Sequence, residues 1–293
     1  MNDYMIATAS TADLSPEYLQ KHNIPFISYP YILDGKEYRD DCRAETRLKM
    51  YEAMRNGAEV STSAISIYDY HKFFVKLMQE KKDILYLDMT SAISSSLKNA
   101  QMAANMIREE YPDQRFVYLE TYAVTDILGL LVKKAVSMKE AGASLDETVS
   151  WLESHKLEYI GRFMVDDLKW LRKGGRLSNA SAWIGTLLSI KPLIIVDDEG
   201  KLVAYKKAHG KRKAWSELIA DMKDTMNEQT AEEEVAVIHS GTPEDAEQFR
   251  AKILEAYPQL KNVTINLLGP VITAHVGPGF MAAVYHGTNR RAF

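Results

Sequence analysis

In the first half of the chain, short apolar runs alternate with stretches of helical periodicity, and this alternation limits the fold more than any other feature. Tyr4 to Thr8, Asp83 to Asp88 and Phe116 to Glu120 read as strands, each followed by a polar turn and a helical pattern. Strand, helix and strand in succession bring the second strand back in the direction of the first, so a parallel sheet is expected. In the helix after the second strand, Leu97, Ala100, Ala104 and Ile107 recur at helical spacing, and Ile127, Leu130, Leu131 and Val136 do so in the next. These stripes are the faces that would cover the sheet. Two further crossover helices are expected over about 46–56 and 66–81. Between the first strand and these helices, Tyr31 to Tyr38 reads as a hairpin turning at Asp34-Gly35.

The pattern changes near residue 155, after a helix ending in Glu153-Ser154-His155. A strand at 158–163 opens a second unit, Lys173-Gly174-Gly175-Arg176 stops a helix, and Ser178 is placed to cap the next. Leu187 to Val196 and Leu202 to Tyr205 read as an antiparallel pair turning at Asp197-Asp198-Glu199-Gly200. A helix through Trp215 follows, then strands at Val235–His239, Val263–Leu267 and Met281–Tyr285, with a helix from Pro243 to Ala256. At 293 residues the chain exceeds one ordinary core, so two α/β domains sharing an interface are expected, over 1–156 and 157–293.

Charge and cysteine content narrow the chemistry. A formal net charge of -4 argues against nucleic acid held by the whole surface, which needs a basic excess. Cys42 is the only cysteine, so an intramolecular disulfide, a thiolate zinc cage and an iron–sulfur site are ruled out, which suits a cytoplasmic protein. The opening MNDYMIATAS lacks a secretory apolar stretch, and no later run reaches the ~18 apolar residues of a membrane span. Membrane contact is therefore expected to be transient at most. Lys206, Lys207, Lys211, Arg212 and Lys213 form a local basic run that reads either as a solvated helix start or as a meeting surface for a partner, a phosphate or a membrane.

Enzyme signatures fail one by one. The chain has no phosphate loop and no dinucleotide-binding glycine turn; Gly277-Pro278-Gly279 suits neither. No G-x-S-x-G elbow occurs, and the histidines at 22, 71, 155, 209, 239, 275 and 286 form no metal-binding pair. Three small polar clusters remain. Ser61-Thr62-Ser63 lies in the loop after Val60, and Thr90-Ser91-Ala92-Ile93-Ser94-Ser95-Ser96 lies between a strand end and a helix start. The free N–H groups there, joined by hydroxyls, can hold a carboxylate; the plainer alternative is that these serines cap the helix and satisfy a turn. The third cluster is Thr273 to Gly279, a lone His275 ahead of the Gly277-Pro278-Gly279 bend, whose plain reading is a hydrogen-bonded histidine in a tight loop. A hydrolase or acyltransferase using Ser94 with His275 is the competing enzymatic reading.

Taken in order, these clusters resemble the DegV family of bacterial fatty-acid-binding proteins over nearly the whole chain. The resemblance rests on Thr8-Ala9-Ser10-Thr11-Ala12-Asp13-Leu14, Ser61-Thr62-Ser63, Ser91-Ala92-Ile93-Ser94, Leu171-Arg172-Lys173-Gly174-Gly175-Arg176-Leu177-Ser178, Ile190-Lys191-Pro192 and Gly269 to Gly279. It implies an N-terminal, Rossmann-like parallel-sheet lobe and a C-terminal α/β lobe with a mixed sheet, holding one long-chain fatty acid between them. The implied ligand residues are Thr62, Ser63, Ser91, Ser94, Ser95, Arg176, His275 and Gly277, with no cofactor, no metal and no catalytic residue. It also implies a partner, a separate fatty-acid kinase to which the lipid is presented for acyl-phosphate formation in phospholipid synthesis. The chain departs from the family pattern at Ala9 (usually Asp), Ala64-Ile65 (Gln-Pro), Ser95 (Gly) and His209 (Arg).

Overall fold

The computed structural model describes residues 3–177 and 190–290. Strands β1 (Tyr4–Ala9), β2 (Phe26–Ile27), β6 (Asp83–Asp88) and β7 (Phe116–Glu120) form a parallel sheet in the order β2-β1-β6-β7. Helices α1 (Pro16–Lys21), α3 (Ile67–Met78), α4 (Ser96–Glu110), α5 (Asp126–Glu140) and α6 (Leu145–His155) accompany it. Their starts follow from local chemistry: Ser66 caps α3 by accepting from the Asp69 N–H, and Ser144 with Glu147 makes a reciprocal capping box on α6. The expected apolar stripes are buried, Ala100, Ala104 and Ile107 of α4 completely.

A smaller antiparallel sheet, β4-β3-β5, is built from β3 (Pro30–Leu33), β4 (Lys36–Arg39) and β5 (Val60–Thr62), with α2 (Ala44–Arg55) between the last two. Its hairpin turns at Asp34-Gly35, where both residues have positive φ (48° and 76°), as a tight primed turn requires. Thr62 thus ends a strand rather than sitting in a loop. Three residues give no alternation to read, and the pairing of Tyr31 with Thr62 is long-range.

Six strands make the C-terminal mixed sheet: β8 (Tyr159–Met164), β9 (Ile190–Val196), β10 (Leu202–His209), β11 (Glu234–His239), β12 (Asn262–Leu267) and β13 (Met281–His286), in the order β10-β9-β8-β13-β11-β12. Only the β11–β12 pair is parallel. Helices α7 (Lys169–Gly174), α8 (Lys211–Met222), α9 (Glu228–Glu232), α10 (Pro243–Ala256) and α11 (Pro270–Val276) complete the described residues. Gly175 takes the left-handed conformation (φ 66°) that ends α7, as the Gly-Gly pair predicts. The segment before Gly277-Pro278-Gly279 differs from expectation: it is helix α11, started by Pro270 at its first turn and too short to show a period. The Ser178 cap and positions 187–189 of the expected strand lie outside the described residues.

One apolar cluster runs from Tyr4 of β1 through Ile127 and Leu131 of α5 to Phe163 of β8 and Val284 of β13, so the two halves share a core. A second, around Trp215 and Phe249, covers the other face of the mixed sheet. The basic run is laced with acids: Lys206 pairs with Asp221 and Glu217, Lys211 with Asp245 and Lys213 with Glu217.

Candidate functional site

Between the parallel sheet and the mixed sheet lies a narrow cavity of about 60 Å³, smaller than the ~300–1,000 Å³ usual for small-molecule sites. Most of its wall is hydrocarbon. Alternate residues of the mixed sheet point into it, Gly161 and Phe163 from β8 and Ala282 and Val284 from β13, joined by Val196, Leu202 and Phe280. Met89, Val124 and Ile127 come from the N-terminal half, and Val271, Ile272 and Val276 from α11. Gly161 makes room here, because a Cβ at that position would lie 2.4 Å from Ile127 Cδ1.

The polar lining gathers Thr62, Ser63, Ser94, Arg176 and His275. The hydroxyl of Thr62 is 2.9 Å from His275 Nε2. Loops that carry the two hydroxyl clusters are tied together, since the Ile65 N–H donates to Ser96 Oγ at 3.0 Å and Asn99 Nδ2 donates to the Ile65 carbonyl at 2.8 Å. Arg176 reaches back to the same turn and donates from Nε to the Ile93 carbonyl at 3.1 Å, and from Nη1 to Gly174 O. Burial, reinforced by the Arg176 charge, pushes the His275 pKa down to about 4, so its ring is neutral at pH 7. Its Nδ1 is buried without a hydrogen-bond partner and faces Gly174, where an added Cβ would come within 2.4 Å of it. The first glycine of the Lys173-Gly174-Gly175-Arg176 segment is therefore what admits the histidine ring.

Three expected residues lie off this wall. Ser91 is exposed, and both its N–H and its hydroxyl donate to Glu120. Ser95 is an exposed position at the start of α4, and its side chain makes no cap bond. Gly277 (φ 79°) accommodates Trp170, whose Cδ1 would lie 2.1 Å from a Cβ there. Ser94 Oγ accepts from the Ser96 N–H at 3.3 Å, while His275 faces Thr62, so the histidine addresses the threonine rather than the serine that the enzymatic reading needs. Ser240, the serine of His239-Ser240-Gly241, is buried and spends its hydroxyl on the Gly277 carbonyl (2.8 Å) and the Phe280 N–H (2.9 Å), bracing the Gly-Pro-Gly bend. Among the described residues no group of three or more His, Cys, Asp or Glu side chains is placed to hold a metal, and no helix is long and apolar enough to cross a membrane.

Two lining residues had no sequence signal. Thr125 has φ 52°, a strained value for a β-branched residue, and is held by donating to Asp13 Oδ2 at 2.6 Å. Tyr29 lines the cavity while its hydroxyl donates to Asp88, a buried carboxylate that also accepts from Tyr70 and Tyr86 and whose pKa burial raises to about 6.

A model of the family described as "Uncharacterised protein, DegV family" matches residues 4–287. The chain is 34% identical over 291 residues to a DegV domain-containing protein of Streptococcus pyogenes, spanning 98% of this chain and 99% of that protein. It is also 34% identical over 294 residues to one of Clostridium perfringens, with 99% of each covered. Among solved structures it is similar to a DegV family protein of Thermus thermophilus described by its fatty acid binding, with TM-score 0.84, 27% identity and 97% and 99% of the two chains covered. A fatty acid binding DegV family protein of Streptococcus agalactiae gives TM-score 0.83 and 29% identity over 99% of this chain and 100% of that one.

Proposed function

Because the chain belongs to the DegV family, we propose that it binds one long-chain fatty acid, with the tail entering the apolar cavity as the side chains that narrow it, Ile127, Phe163 and Phe280 among them, move apart, and the carboxyl among Thr62, Ser63, Ser94, His275 and Arg176. The observation that carries this reading is the make-up of the cavity: a hydrocarbon wall supplied by both halves, with Thr62 and His275 in contact among its few polar groups. The energetics favour that division. A sixteen-carbon tail buried at ~0.8 kcal/mol per methylene contributes roughly 10 kcal/mol, so grip comes from the tail. The carboxyl needs partners more than strength, since a buried acid left unpaired costs several kcal/mol. Hydroxyls beside a neutral imidazole, with one guanidinium near, supply them without an ion-pair clamp that would hinder the acid's onward transfer. The description of the Thermus and Streptococcus agalactiae relatives as fatty-acid-binding supports the same ligand class.

Within this proposal the protein is a non-catalytic lipid carrier of the cytoplasm, built of lobes 1–156 and 157–293, that presents the acid to a separate kinase. The departures at Ala9, Ala64, Ile65, Ser95 and His209 all lie off the cavity wall. Ala64, Ser95 and His209 are exposed, so they alter the surface a kinase would meet and leave the lipid space as it is. Delipidated protein titrated with palmitate in a calorimeter tests the binding, with one-to-one stoichiometry expected and no heat of binding as the contrary result. Lipid-loaded protein given ATP and a fatty-acid kinase should yield acyl phosphate; no product with any active kinase would remove the presenting role.

A further inference from the structure

Residues 30–62 leave the parallel sheet and lie against the C-terminal half as an arm made of β3, β4, α2 and β5. Four of their apolar side chains stand apart from the main core: Tyr31, Met50, Met54 and Val60 form a small cluster completed by Ala274 of α11, with Trp170 of α7 packed on it. On α2, Arg47, Tyr51 and Arg55 recur every fourth residue and share one face. Each donates to a backbone carbonyl of the C-terminal half. Arg47 Nη1 reaches the Leu267 carbonyl at 2.5 Å, the Tyr51 hydroxyl reaches Leu268 O, and Arg55 reaches Gly241 O.

Leu267 and Leu268 lead directly into α11, and α11 ends at the turn that carries His275. The arm therefore grips this helix twice: α2 side chains hold the chain entering it, and Thr62 of β5 meets His275 in its last turn. A helix of seven residues has little stability of its own, so its position is set by what holds it. The Leu268 N–H is tied to the His239 carbonyl at the end of β11 (3.0 Å), while the Leu268 carbonyl receives the Tyr51 and Thr273 hydroxyls and the Gly269 carbonyl the Thr273 hydroxyl and N–H.

We propose that Tyr51 and Arg47 are positioning residues for the head-group site, fixing the segment that enters α11 and so setting where His275 stands against Thr62. The ligand half of this inference rests on the fatty-acid reading, whereas its histidine half does not. With the grip loosened, α11 shifts, water reaches the imidazole, and the carboxyl loses a fixed partner.

The test is Tyr51→Phe in the full chain, which deletes one hydroxyl and adds no volume. Two readouts separate positioning from mere stability: the titration midpoint of the His275 ring followed by NMR, and the release rate of bound palmitate. Arg176 is the charged group that bears on the ring, and its charge is constant over this range, so the midpoint reports burial. In Tyr51→Phe the midpoint should rise from about 4 toward the ordinary 6.5. Palmitate should leave roughly tenfold faster, as the loss of one buried hydrogen bond implies. Arg55→Gln, at the exposed end of the same stripe, should move both readouts the same way by less, and it serves if Tyr51→Phe does not fold. A lower melting temperature with the His275 midpoint unmoved in both variants would overturn the proposal. If the wild-type protein binds no palmitate, the fatty-acid reading fails, and the histidine titration still decides the positioning.

Discussion

Thr62 Oγ1 and His275 Nε2 stand 2.9 Å apart across 213 residues of chain, closing the polar end of the cavity with one bond between β5 and α11. Because His275 Nδ1 already lacks a partner, Thr62 is the ring's only hydrogen-bonding contact among the described residues.

Thr62→Val keeps the shape of this contact and removes its hydroxyl. The fold should persist, and affinity for palmitate should fall about tenfold, the worth of one hydrogen bond of ~1–1.5 kcal/mol at a buried site. Displacement of a fluorescent fatty acid measures it; unchanged affinity would place the carboxyl elsewhere.

Gly174→Ala sets a Cβ 2.4 Å from His275 Nδ1. The ring must turn away from Thr62 or push α11 outward. Binding should weaken at least as much as in Thr62→Val, and combining the two should cost less than the sum of their separate effects, since both act on one bond. A full additive loss in the displacement assay would contradict this.

Gly161→Ala brings a Cβ within 2.4 Å of the Ile127 side chain, which lines the cavity and must give way into it. Preference should shift toward shorter acyl chains, by about one or two methylenes at ~0.8 kcal/mol each. Competition between myristate, palmitate and stearate reads the shift directly.

Stability should depend on pH through buried acids. Burial raises Asp40 and Asp126 to about 7 from an ordinary 3.8, so the folded chain keeps protons that the unfolded chain has released. Their contribution is greatest at low pH and is lost as pH rises from about 4 to about 7. His275, lowered from 6.5 to about 4, acts in the opposite sense: its contribution is full above 6.5 and is lost as pH falls toward 4. With Asp88 raised to about 6 acting in the same sense, three acids outweigh one histidine, so the melting temperature should fall from about pH 5 to about pH 7. Asp126→Asn should flatten that slope by several degrees, at ~2–4 °C per kcal/mol. An unchanged slope would mean that Asp126 is ionised in the folded state.

The framework was legible where pattern and length cooperate. Asp83–Asp88 and Phe116–Glu120 are six- and five-residue apolar strands flanked by long helices, and they stand where periodicity places them. The Gly175 helix stop was equally plain, because only its backbone conformation was at issue. β5 and α11 escaped because three and seven residues carry no period, and their positions depend on partners distant in sequence. For the same reason the serine-rich turn did not reveal which of its hydroxyls faces inward. Ser94 lines the cavity while Ser91 turns to Glu120, and that choice is made by a strand end far along the chain. Thr125 and Tyr29 gave no signal at all, since strain and burial are properties of the fold.

Native mass spectrometry of the purified protein, sprayed intact and then dissociated, tests the central claim most directly. The account predicts a single added mass in the range of a C14–C18 fatty acid, released as a free carboxylic acid and displaceable by palmitate one for one. A chain that carries nothing, and takes up nothing when palmitate or oleate is offered in excess, would contradict it.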